Sequence, residues 1–112
     1  MDYKNYRLIY APQVIAELKS IKAYILELSQ SENIANKRID DIFQGMETLK
    51  VFPEAGFNAD EIYGQKFSKD VTTRGMTLKK DYLVLYDIDE ANSCVNVRYL
   101  FSTKSDYMRL FK

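Results

Sequence analysis

The chain has no histidine, no tryptophan, one cysteine (Cys94), two prolines and four glycines among its 112 residues. The missing histidine excludes the most. Ser-His-Asp and Cys-His nucleophile systems, histidine general bases and nearly every ordinary zinc site need a residue this chain lacks. A single cysteine allows neither an intramolecular disulfide nor CxxC chemistry. There is no excess charge either, since 16 basic side chains balance 16 acidic ones. A general nucleic-acid coat, which relies on net positive potential, is therefore disfavoured. No apolar run approaches the roughly 20 residues of a membrane span. Met1-Asp2-Tyr3-Lys4-Asn5-Tyr6 lacks the basic and then apolar segments of a secretory signal. A cytoplasmic protein with no membrane contact is expected, and an unpaired thiol suits a reducing compartment.

What remains is enough for a core. Hydrophobic residues make up 46%, with 9 Tyr and 6 Phe, which argues against disorder and for one domain spanning residues 1–112. Catalysis, if any, must rest on Arg, Lys, Tyr, Asp, Glu, Ser or Thr. The balanced charge is also segregated. Residues 62–80 hold Lys66, Lys69, Arg74, Lys79 and Lys80 against Asp70 alone, whereas residues 81–90 hold Asp81, Asp87, Asp89 and Glu90 with no base.

Tyr6, Leu8 and Tyr10 alternate within residues 3–10, which predicts a strand. Pro12 favours a helix start, and Val14, Leu18, Ile21, Ile25 and Leu28 follow on one helical face. Ser31 suits an N-cap, with Glu32 near the positive helix end. Ala35, Ile39, Ile42, Met46 and Leu49 repeat the same spacing, so two helices are expected to form an antiparallel hairpin. Gly45 weakens the second helix slightly. Phe52-Pro53-Glu54-Ala55-Gly56 ends it, with Gly56 read as a residue free to turn. Residues 57–70 are mixed and read as a loop or an irregular strand. Val71 to Leu78 reads as a strand despite Gly75. Tyr82 to Ile88 is apolar on both parities, the mark of a strand buried on two faces. Asp89 to Ser93 is a hairpin turn. Val95, Val97, Tyr99 and Phe101 then alternate with Asn96 and Arg98, and Ser105 to Phe111 reads as a terminal helical turn. The expected fold is α+β: an N-terminal strand, a helical hairpin, an antiparallel three-stranded meander and a short C-terminal helix, with the helices packed on one sheet face.

This order, together with particular residues, resembles the RelE/ParE superfamily of toxins from bacterial type II toxin–antitoxin pairs. The residues are Tyr10-Ala11-Pro12-Gln13-Val14, Leu18, Ile21 and Tyr24-Ile25, then Leu49-Lys50-Val51-Phe52-Pro53-Glu54-Ala55-Gly56. They continue with Arg74, Lys80-Asp81-Tyr82-Leu83-Val84-Leu85-Tyr86-Asp87-Ile88, Lys104-Ser105-Asp106-Tyr107 and Leu110-Phe111. The resemblance implies a partner antitoxin, partly disordered until its helix and strand wrap the toxin, through which operator DNA is contacted indirectly. It also implies one of two activities: inhibition of DNA gyrase, as in ParE-like members, or ribosome-dependent mRNA cleavage, as in RelE-like members. The Phe52-Pro53 link to Gly56 and the Asp106-Tyr107 ending favour the ParE-like side. The chain departs from the family pattern at Ala11, where a capping Ser is common. It departs again at Leu83, where RelE-like nucleases usually carry Arg, and this puts ribonuclease activity in doubt. A derived binding module without toxicity is the third reading.

Without histidine, the acid and base of RNA cleavage must be Tyr, Lys or a carboxylate, and a Tyr or Lys must be shifted well below its ordinary value of about 10 to serve as the base. Arg74, Lys80, Lys104 and Tyr107 are the catalytic candidates for that case. Arg74, Lys79, Lys80, Arg98, Lys104 and Arg109 are the candidates for binding a target. Blander alternatives stand beside several of them: Lys66, Lys69, Lys79 and Lys80 as lysines that merely blunt a sheet edge, an Arg74 that pairs with a carboxylate, and a Tyr107 that ties down the terminus. Tyr82 and Tyr86 read as core aromatics and Cys94 as a small hydrophobe. Arg98 is expected to point away from the Val95/Val97 face. The Asp89-Glu90 pair reads as solvated turn chemistry, and no metal or cofactor is expected.

Overall fold

The structure, a computed structural model, describes residues 5–103. Strand β1 (Arg7–Tyr10) leads into helix α1 (Pro12–Ser29) and helix α2 (Glu32–Glu47). Two 3-10 turns, Thr48–Lys50 and Pro53–Ala55, connect to a two-residue strand β2 (Phe57–Asn58) and a short helix α3 (Ala59–Tyr63). The meander β3 (Arg74–Leu78), β4 (Tyr82–Asp89) and β5 (Cys94–Ser102) follows. The sheet order is β1-β5-β4-β3-β2, with β1 parallel to β5 and every other pair antiparallel.

The helix starts follow from the sequence. Ala11 occupies the cap position of α1 with no side-chain bond, and Pro12 supplies the first-turn geometry instead. Gln30 ends α1 in a left-handed conformation, donating its N–H to the Leu26 carbonyl at 2.8 Å. Ser31 caps α2 by accepting the Ile34 N–H at 3.2 Å. Gly45 has a packing role: a Cβ there would lie 2.6 Å from a Leu78 methyl, so its absence lets α2 close onto β3.

The main core lies between the helical hairpin and one sheet face. Val14, Leu18 and Ile21 of α1 and Ile42 and Met46 of α2 meet Tyr82, Val84 and Tyr86 of β4 and Val95, Val97 and Leu100 of β5. The opposite face carries a smaller cluster of Ala59, Leu83, Leu85 and Phe101, covered by Phe57, Tyr63 and Phe67. β4 is thus buried on both sides, as its unbroken apolar run predicts.

Several expectations need correction. Residues 57–70 contain β2 and α3 and form the lid of the second cluster; Asn58 caps α3 by accepting the Glu61 N–H at 3.1 Å. The strand expected from Val71 begins only at Arg74. Until that point the backbone turns around Asp60, whose carboxylate accepts the N–H groups of Phe67 and Thr73. The N-terminal strand begins at Arg7. Alternation along β5 breaks at Arg98, an extra residue in the ladder: Tyr86 pairs with Val97 and Leu85 with Tyr99. The bulge reverses parity, so Leu100 joins the helix-bearing face while Tyr99 and Phe101 turn to the other. Leu28, the last residue of the α1 stripe, is 68% exposed because the stripe outruns its cover. The helical turn expected at Ser105 to Phe111 lies outside the described residues.

Candidate functional site

The cations of residues 62–80 do not form one strip. Arg74 lies opposite Tyr86 in the ladder, on the helix-bearing side. Its Nη2 donates to the carbonyls of Glu54 (3.0 Å) and Gly56 (2.7 Å), and its buried Nε has no partner among the described residues. Tyr86 completes this clamp: its hydroxyl donates to the Pro53 carbonyl at 2.7 Å and accepts the Gly56 N–H at 3.0 Å. Arg74 therefore tethers the linker between α2 and β2. Lys79 and Lys80 stand at the other end of β3, about 17 Å of strand away. Both have positive φ, in a tight turn closed by the Asp81 N–H to the Leu78 carbonyl at 3.1 Å. Lys79 Nζ lies 3.9 Å from Asp41 of α2. Lys66 lies 4.0 Å from Asp60. Lys104, Tyr107 and Arg109 lie outside the described residues.

The tyrosines bear on base chemistry. Burial pushes the Tyr86 phenol above its ordinary value, with the Gly56 N–H and the Arg74 guanidinium pulling part of the way back. Burial, helped by Glu47, raises Tyr10. Tyr6 is raised chiefly by its hydrogen bond to Glu90. All three move away from the range a base needs at neutral pH. Leu83, at the position where RelE-like nucleases carry Arg, is buried in the second cluster.

Arg98 is placed differently. As its parity opposite to Val97 predicts, it turns to the second sheet face, beside Asp87. There its Nε donates to Asp87 Oδ2 at 2.8 Å, and Asn96 Nδ2 donates to Asp87 Oδ1 at 3.0 Å. The Asp87 side chain is 4% exposed and that of Arg98 52%. The ladder sets the neighbours: Asn96 is registered with Asp87 on one side and with Ile9, 47% exposed, on the other. Arg7 pairs with Cys94, its Nη2 being 3.3 Å from Sγ. Tyr99 stacks on Phe101 with centroids 5.6 Å apart and lies partly exposed next to Arg98. One exposed half-face thus presents Arg7, Ile9, Arg98 and Tyr99 over a buried carboxylate. Aromatic and Arg anchors of this kind dominate protein–protein binding energy.

Of these, the sequence pointed only to Arg98. Asp87 had a readable signal: a carboxylate inside an apolar two-faced strand must find a cation or hydrogen-bond donors. Arg7 and Ile9 had a weaker one, their parity opposite to Leu8 and Tyr10. A second feature is a groove of about 660 Å³ along α1, lined by Tyr24, Ile25, Leu28, Arg38, Tyr82 and Glu17. Arg38 donates to the Tyr82 hydroxyl at 3.0 Å, and burial raises the Glu17 carboxyl. Among the described residues no helix is long and apolar enough to cross a membrane, and no group of three or more acidic or cysteine side chains converges as a metal site.

Comparison with known proteins agrees with this architecture. A solved chain from the chromosomal ParDE TA system of P. aeruginosa superposes with a TM-score of 0.69 at 15% identity, covering 90% of this chain and 99% of that one. A chain of the archaeal RelE-RelB complex from Pyrococcus horikoshii OT3 gives a TM-score of 0.56, also at 15% identity, covering 90% and 99%. At that identity the likeness concerns the fold. No match is found among curated protein sequences. Residues 3–107 match the family described as ParE toxin of type II toxin-antitoxin system, parDE, so this α+β chain belongs to the ParE toxin family.

Proposed function

We propose that this toxin arrests growth by binding an essential protein, DNA gyrase, and that a cognate antitoxin neutralises it. The observation that carries the reading is the open half-face with Arg98 and Tyr99 at its centre and Ile9 and Arg7 beside them. Such a face suits recognition of a protein surface. The balanced overall charge agrees, since docking on ribosomal RNA gains much of its affinity from neutralising phosphates. The antitoxin is inferred from the two structural relatives, which come from toxin–antitoxin systems. The groove along α1, with Tyr24 and Leu28 exposed, offers an apolar seat for an antitoxin helix. Operator DNA would then be reached through the antitoxin.

Against the ribonuclease alternative stand the separation of Arg74 from Lys80 and the upward shifts of Tyr6, Tyr10 and Tyr86. Expression of the chain alone is expected to stop growth, and co-expression of a small protein encoded beside it is expected to restore growth. Normal growth at high yields of folded chain would overturn the proposal and favour the non-toxic binding module.

A further inference from the structure

We infer that Arg98 forms a docking site for a single carboxylate on the target protein, and that Asp87 is the positioning residue that holds the guanidinium for it. The inference rests on the reading that the open half-face meets the target. Three features of the geometry support it. First, Arg98 is the extra residue of the bulge, without a ladder partner of its own, and its guanidinium is held by a side chain of the neighbouring strand. Second, that partner is nearly fully buried and is fixed from the other side by Asn96. Asp87 engages Nε at 2.8 Å, and among the described residues Nη1 and Nη2 form no bond. A guanidinium is planar, so fixing Nε fixes the plane in which its outer edge is offered. That edge can donate two parallel bonds to one carboxylate. Third, the partly exposed Tyr99 follows Arg98 in β5, and Ile9 of β1 is registered with Asn96, two residues before it, so the guanidinium is offered within a partly apolar surface.

The class of ligand follows from the charge count of the face. Arg7 and Arg98 are offset by Asp87 and by Asp89, which is registered with Cys94 on the same side. Hydrogen bonds from Asn92 hold the Asp89 carboxyl below its usual range, so it stays ionised at neutral pH. A polyphosphate backbone gains from several neutralised charges, and among the described residues this face offers no surplus. One oriented guanidinium within a neutral, partly apolar surface suits one Asp or Glu side chain of a protein.

The test uses the full chain, purified gyrase holoenzyme and supercoiling as the readout. Arg98→Lys keeps the charge and loses the fork; Asp87→Asn keeps the shape and loses the hold. Each is expected to raise the half-inhibitory concentration about tenfold or more with the melting temperature retained, and Arg98→Glu is expected to abolish inhibition. In an Arg98→Ala background, Asp87→Asn is expected to have no further effect, a non-additivity that a merely structural Asp87 would not give. Wild-type inhibition by folded Arg98→Lys and Arg98→Glu would overturn the inference while leaving the gyrase reading intact. If the wild-type chain does not inhibit gyrase, the gyrase reading falls. The same variants scored for growth arrest then decide the inference, and arrest equal to wild type by Arg98→Glu overturns it. Tight binding of the wild-type chain to single-stranded or duplex RNA with a steep salt dependence would assign the site to phosphate and also overturn it.

Discussion

Tyr86→Ala is expected to lower the free energy of unfolding by about 3–5 kcal/mol, a large share of the roughly 5–15 kcal/mol available to a domain of this size. Tyr86 is completely buried in the main core and also carries two hydrogen bonds to the linker, to Pro53 and from Gly56. Removing the ring opens a cavity and leaves two backbone groups unpaired. Tyr86→Phe separates the contributions: it keeps the packing and loses only the hydroxyl, at a cost of about 1–3 kcal/mol. Urea denaturation with unchanged slopes checks both values. An unchanged midpoint for Tyr86→Phe would show that the linker is held by something other than this clamp.

Gly56→Ala is expected to destabilise as well, for the opposite reason. The backbone at Gly56 is extended, with φ −80° and ψ 169°, so any residue can adopt it. A Cβ there would press into the Gly75 carbonyl oxygen and lie 2.5 Å from the Tyr86 hydroxyl. Both obstacles belong to rigid, buried parts of the structure. Overpacking of this kind costs about 1–3 kcal/mol and occasionally more, and here the β2–β3 pairing and the clamp must both shift. A melting temperature more than about 5 °C below wild type is expected, since about 1 kcal/mol moves a domain of this size by several degrees. A wild-type melting temperature would contradict the close approach of linker and sheet.

These two positions also show how far the sequence could be read. The residues of the Tyr86 core were legible because β4 is apolar on both parities, a pattern few alternatives produce. The clamp was not, because the carbonyls it holds come from a linker with no periodicity. For the same reason Arg74 read as a surface or catalytic cation, although it tethers backbone. Gly56 read as a turn, when its role is absence of volume. The bulge at Arg98 was hidden because Tyr99 and Phe101 suit either face, so a one-residue slip leaves the apolar pattern plausible. Helix α3 has only five residues, too few for a helical period to show. The candidate site was therefore only partly visible: Arg98 by its parity, Asp87 by its isolation in an apolar strand, and Arg7 and Ile9 only once β1 is known to lie parallel to β5.

On the proposed function, this ParE-family chain acts by holding a protein and not by cutting RNA. The direct measurement titrates purified chain into a gyrase supercoiling reaction and follows transcript integrity in cells arrested by the same chain. Loss of supercoiling activity with transcripts of full length is the expected result; undiminished supercoiling with transcripts cleaved in their translated regions would contradict it.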